Sequence, residues 1–225
     1  MKNVFWRLQD LPQERQLARW DQGMNWEGIM CPVNPSHQRA GRRTTDLRII
    51  LPRDDMPDFI WTPIFSYCLI RDTILHLFNR SVVTGFEVKP VAARFATSRL
   101  SPPKLWELVV TGWAGMAKPE SGVRLNQSES CSVCGELGYT GLEYPEQLID
   151  EKQWDGSDIF MVWPLPRYVF VTDRVRQLVQ THGLTGCRFT RVEELEKAER
   201  FGPGRLHYYM PDARARKLGE PLGIY

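Results

Sequence analysis

The most distinctive chemistry in this 225-residue sequence sits in its five cysteines and four histidines. Cys131-Ser132-Val133-Cys134-Gly135 is a Cys-x-x-Cys-Gly knuckle. Two thiolates at that spacing can grip one tetrahedral metal ion from a tight turn. The glycine that follows lets backbone N–H groups face the sulfurs with no Cβ in the way. A closed structural zinc site needs four donors. Cys31-Pro32-Val33-Asn34 is the same knuckle with asparagine in place of the second cysteine, and His37 follows three residues later. Cys31, His37, Cys131 and Cys134 therefore make a Cys3His set for one structural zinc per chain. Such a site closes a loop of about a hundred residues, which ties metal binding to folding. Two alternatives stay open: a redox-active pair, and an eroded knuckle that keeps its shape without metal. A thioredoxin-like pair opens a helix, whereas Gly135, Gly138 and Gly141 disfavour one here. Cys68 and Cys187 lie in apolar stretches and read as small core residues. His76, His182 and His207 are assigned no chemistry.

Known catalytic signatures are missing. The sequence has no HExxH, no GxSxG, no Walker loop and no dinucleotide fingerprint. A zinc deaminase needs a glutamate two residues after its ligating histidine, and His37 is followed by Gln38 and Arg39. A Cys3His set also has no open position for metal-assisted hydrolysis. The expectation is a protein that is not an enzyme. Arg39, Arg42 and Arg43 beside the first knuckle are placed to contact phosphates, which makes a zinc-knuckle nucleic-acid-binding protein the alternative reading. The net charge of +2 argues against a strong pull towards nucleic acid or anionic membrane.

The elements that must position these residues show an internal repeat. Shifting the sequence by 101 positions aligns Pro63 with Pro164, Tyr67 with Tyr168, Asp72 with Asp173, Thr84-Gly85 with Thr185-Gly186, and Val91 with Val192. Apolar residues at 67–70 and 168–171 suit buried strands. Asp72 and Asp173 are positioned as helix N-caps, and about two helical turns follow. The Thr-Gly steps then turn the chain into strands at 86–91 and 187–192. A crossover between parallel strands and a hairpin-like arrangement both fit, and true duplication competes with chance likeness. Residues 104–113 read as a strand and 193–200 as a brief helix. The fold class is α+β: a mixed sheet with short helices, with two pseudo-repeated strand–helix–strand units joined through a zinc knuckle. One domain spans 1–225, with repeats at about 31–91 and 131–192 and a C-terminal arm at 202–225. Apolar and charged fractions of 42% and 25% fit a globular chain. An odd cysteine count, an N-terminus without an apolar signal core and no bilayer-length apolar run point to the cytoplasm.

Residues 131–135, 154–160, 164–167 and 184–186 resemble the C-terminal half of the double-CxxCG motif proteins, a paralogous family found mainly in myxobacteria. Residues 31–52 and 84–91 resemble the N-terminal half, so the likeness spans roughly 20–192. The family includes immunity proteins that neutralise toxins passed between neighbouring cells. The resemblance implies a cytoplasmic immunity-type protein that binds a cognate protein toxin, encoded nearby, stoichiometrically. The chain departs from the family pattern where Asn34 and Pro35 replace the first motif's second Cys-Gly. Trp154, Arg167 and Tyr208 are candidate contact residues, because aromatics and arginine dominate interface hot spots.

Overall fold

The computed structural model describes residues 3–11, 18–63, 66–97 and 100–225. Its strands are β1 (Phe5–Gln9), β2 (Arg19–Trp20), β3 (Trp26–Ile29), β4 (Arg39–Arg43), β5 (Leu47–Leu51), β6 (Phe59–Trp61), β7 (Cys68–Arg71), β8 (Phe86–Phe95), β9 (Leu105–Val110), β10 (Gly112–Met116), β11 (Leu125–Cys131), β12 (Glu136–Leu142), β13 (Ile159–Trp163), β14 (Val169–Thr172), β15 (Arg188–Arg191) and β16 (Ala198–Phe201). Among the described residues three α-helices accompany them: α1 (Asp72–Arg80), α2 (Asp173–Thr181) and α3 (Asp212–Gly219). The fold is α+β with mixed sheets. A six-stranded sheet runs β2-β5-β8-β9-β7-β6 and a five-stranded sheet runs β10-β13-β14-β1-β15. Two smaller units, β3-β4 and β11-β12-β16, carry the knuckles. Among the described residues, no helix is long and apolar enough to cross a membrane.

Both repeat units follow one path. β7-α1-β8 and β14-α2-β15 are each strand–helix–strand, and each helix turns branched or aromatic side chains inward: Ile74, Leu77 and Phe78 from α1, Val175 and Val179 from α2. Within each unit the two strands are parallel and one foreign strand lies between them. β9 pairs antiparallel with both β7 and β8, and β1 pairs antiparallel with both β14 and β15. The registers correspond. Trp106 faces Ile70 and Pro90, while Trp6 faces Val171 and Arg191. The flanking strands match as well, with Phe59 opposite Ile70 and Ile159 opposite Val171.

The inserted strands reveal an exchange. β1 begins the first half and β9 begins the second, one hundred positions apart, and they share Trp6/Trp106 and Leu8/Leu108. Each opening strand completes the sheet of the other half. The repeat is thus a strand-exchanged pair rather than two self-contained units in tandem.

The same logic corrects the capping expectation. Arg71 and Thr172, not Asp72 and Asp173, occupy the N-cap positions, with no side-chain cap bond. The aspartates sit one residue later, in the first turn, where negative charge faces the positive end of the helix dipole. Their carboxylates accept from the exchanged tryptophans: Trp106 Nε1 donates to Asp72 at 2.7 Å, and Trp6 Nε1 to Asp173 at 3.0 Å.

The Thr-Gly steps form the seam between the halves. Thr84 N–H and Oγ1 contact Asp158 Oδ2 at 3.0 and 3.2 Å, and Thr185 N–H and Oγ1 contact Asp58 Oδ2 at 2.9 and 2.8 Å. Ile159 N–H donates to Thr84 O and Phe59 N–H to Thr185 O, both at 3.0 Å. The last two satisfy the N–H groups of Ile159 and Phe59, which are buried, and an unpaired group there is costly.

Two further expectations differ from the structure. The stretch 104–113 is two strands, because the N–H groups of Thr111 and Gly112 both donate to Gly85 O at 2.9 Å and end β9. The helix expected at 193–200 is instead one 3-10 turn, Val192–Glu194, followed by β16 paired with β12. An open sheet edge outweighs the small helix propensity of so short a segment. The C-terminal arm lies against the body with Leu206, Met210, Ala215 and Ile224 buried. The main core cluster spans both halves, and a second lies on the other face of the six-stranded sheet around Leu47, Ile60 and Leu69.

Candidate metal centre

Two matching hairpin regions deliver the donors. Cys31 follows β3, and Cys131 ends β11. In each knuckle the sulfur accepts from two backbone N–H groups: Val33 and Asn34 for Cys31, Val133 and Cys134 for Cys131. The two loops therefore share one backbone geometry, with Asn34 standing where Cys134 stands. Gly135 closes the second knuckle with φ of +72° and an N–H bond of 2.8 Å to Cys131 O, which an L side chain would strain. In the first, the chain instead enters a one-turn 3-10 helix, Pro35–His37, capped by Asn34 Oδ1 accepting from Ser36 N–H at 3.0 Å.

That turn supplies the fourth donor. Asn34 Nδ2 lies 2.9 Å from His37 Nε2, leaving Nδ1 turned towards Cys134 Sγ at 3.7 Å. Cys31 Sγ and Cys131 Sγ are 3.9 Å apart. All four donor atoms of Cys31, His37, Cys131 and Cys134 lie within 4.8 Å of one another. The structure thus brings together the whole set chosen from the sequence, at the spacing of donors around a single metal ion. No cysteine is engaged in a disulfide.

The electrostatics suit a cation. Burial raises the Cys31 thiol, since a desolvated thiolate is costly. Backbone N–H groups, led by that of Cys134, and then His37 lower Cys131. At Cys134 burial pushes the thiol up, but the Arg39 guanidinium, the Glu136 N–H, Cys31 and His37 outweigh it and bring it to about 6. The neighbouring sulfurs of Cys131 and then Cys134 raise His37. Packing three sulfurs together is favourable for thiolates only with positive charge among them, which a metal ion at this point would supply.

Arg39 plays a part the sequence did not reveal. Its Nη1 lies 3.5 Å from Cys134 Sγ, its Nη2 donates to Cys134 O at 3.0 Å, and Glu136 holds it at 2.5 Å. The neighbouring arginines are also paired, Arg42 with Asp212 at 3.9 Å and Arg43 with Glu107. The cluster read as phosphate-contacting is thus compensated by three carboxylates.

Cys68 is buried among core side chains and Cys187 packs against the same core. His76 pairs with Asp72 at 3.2 Å. Of the candidate contact residues, Trp154 is half-buried, donates to Ser157 O at 3.0 Å and packs edge-on against Phe5 at 5.1 Å. No tryptophan in the chain is exposed, so the surface is poorer in aromatic anchors than the composition suggested. Comparison with protein-family profiles and with curated proteins returns no match for this chain.

Proposed function

We propose that the four donors hold one structural zinc ion and that the chain is an immunity-type protein that neutralises a cognate protein toxin by stoichiometric binding. The observation that supports the metal reading is the closed four-donor cluster. Thiolates about 2.3 Å from a tetrahedral zinc lie about 3.8 Å from one another, close to the 3.9 Å between Cys31 and Cys131. With four protein donors, no position is left for a reacting water, which favours a scaffold over a catalyst. The clip joins a hairpin of the first half to one of the second, so it rigidifies a surface assembled from both. A preorganised surface loses less free energy on binding.

The immunity reading rests on the resemblance to the double-CxxCG motif proteins. The nucleic-acid alternative is weakened because Arg39, Arg42 and Arg43 each face a carboxylate. Co-expression with the product of the adjacent gene tests the immunity reading. Protection of the host cell and a one-to-one complex are expected. A harmless product, or one that stays toxic beside abundant folded protein, would refute it.

A further inference from the structure

A cleft lies between the two halves and the C-terminal arm, lined by none of the four metal donors but bordered by Arg39 and Glu136 beside Cys134. It has a small inner chamber of about 70 Å³ and an outer part of about 350 Å³, within the size range of small-molecule sites. Arg43, Tyr67, Arg167, Tyr208 and Tyr209 line both parts, so the two adjoin. The inner chamber is lined by Arg42, Arg43, Lys89, Arg167 and Glu107; Arg43 pairs with Glu107 and Arg42 with Asp212.

Several independent features mark this cleft as more than a packing gap. Arg43 and Glu107 form an ion pair in which each side chain is only 7% exposed. Arg43 Nη1 is buried with no hydrogen-bond partner, and so is Nδ1 of His207 in the same wall. Buried polar atoms are almost always satisfied, and orphans gathered at one cavity point to something that completes them. Lys89 has no acidic partner among the described residues. Ser66, also in the wall, has φ of +45°, a strained backbone of the kind that collects at binding sites. The outer part is walled by rings: Trp26, Tyr67, Tyr208, and Tyr209 with the Arg167 guanidinium 5.3 Å from its centroid.

We propose that this cleft binds a small organic anion, whose phosphate or carboxylate head sits in the inner chamber by Arg43, Lys89 and Arg167 and whose planar body lies along Trp26, Tyr67 and Tyr208. The unpartnered Nη1 of Arg43 and the ammonium of Lys89 select the charge of the ligand, and a guanidinium suits a planar or tetrahedral oxyanion. The aromatic walls select a body with a flat apolar face. None of the four metal donors lines the site, so small-anion binding is measured separately from metal content and from toxin neutralisation.

Isothermal titration of the full-length protein with phenyl phosphate, benzoate and inorganic phosphate tests the proposal. Saturable one-to-one binding of phenyl phosphate or benzoate is expected, with inorganic phosphate weaker because it has no body. The preferred compound identifies the head group. Lys89→Gln and Arg167→Gln should each weaken binding about tenfold, the scale of a lost charge-assisted contact. Lys89 is exposed, so its variant keeps the test valid even if Arg167→Gln disturbs folding. No saturable binding of any of the three by folded protein would overturn the proposal, as would binding unchanged in Lys89→Gln.

Discussion

Replacing Gly85 with alanine isolates the seam between the two halves. Gly85 has φ of +85°, and a Cβ there would stand 2.0 Å from Ile159 O and 2.6 Å from Ser157 Cβ. Real Cβ contacts stay above 3.0 Å, so β13 must move away by about 1 Å. The 3.0 Å bond from Ile159 N–H to Thr84 O would then stretch past hydrogen-bonding distance. Left-handed strain costs about 1–2 kcal/mol, and reduced chain entropy in the unfolded state returns about 0.4–1. Each buried group left unpaired adds about 1–3 kcal/mol. A total of about 3–5 kcal/mol follows. Gly156→Ala is the control: its φ is +84°, but no atom lies within 4 Å of the added Cβ, so it should cost only about 1 kcal/mol. Urea unfolding followed by tryptophan fluorescence, with equal slopes for the variants, measures the difference. Gly186→Ala, whose Cβ would meet Phe59 O at 2.1 Å, should match Gly85→Ala. Costs for Gly85→Ala and Gly156→Ala within about 1 kcal/mol of each other would refute the close-approach argument. A large cost at only one of Gly85 and Gly186 would refute the equivalence of the two seams.

Other perturbations reach different parts of the molecule. Cys131→Ser and Cys134→Ser should each abolish bound metal by elemental analysis and lower the melting temperature by roughly 5–10 °C, about 2–3 kcal/mol; unchanged metal content would contradict the site. Cys31→Ala and His37→Ala should reduce metal content too, and if neither does, those two residues are not donors. Val82 stands at φ of +52° with 70% exposure, where the second half has Gly183 at +59°; Val82→Gly should stabilise by roughly 0.5–1 kcal/mol, because relief of left-handed strain exceeds glycine's entropy cost. The indole bond from Trp106, foremost, lowers Asp72, and Arg176, foremost, lowers Asp173. A folded-state value below the unfolded one means stability present above the usual carboxylate range and lost as pH falls through the folded value. Asp72→Asn and Asp173→Asn should flatten that acid limb in thermal melts across pH.

What short stretches of the sequence encode is what local physics fixes. A Cys-x-x-Cys-Gly turn points its N–H groups at sulfur through the conformation of a few residues, so Cys131 and Cys134 were recognisable from spacing. The strand–helix–strand units were recognisable from apolar periodicity and the aligned Thr-Gly steps. The aspartates at the helix starts were placed one residue off, because a capping carboxylate and one that accepts from a distant indole look the same in sequence. The run at 193–200 is no helix for a related reason: β16 forms along the edge that β12 offers it.

The residue types of the candidate donor set and the aligned strand–helix–strand pattern with its Thr-Gly steps are determined by the sequence alone, since both reside in short contiguous patterns, whereas the paths of the two units settle that they are structural equivalents. The joining of Cys31 and His37 to Cys131 and Cys134 was inferred from donor counting, and only the folded chain puts their donor atoms within 4.8 Å. Strand exchange was decided by tertiary structure. Trp6 and Trp106, with Leu8 and Leu108, mark β1 and β9 as equivalent strands, but equivalent strands fit either half's sheet equally well by pattern. Which sheet each enters depends on where the connecting chain can reach and which indole meets which aspartate, and those are relations across space that no local stretch of sequence encodes.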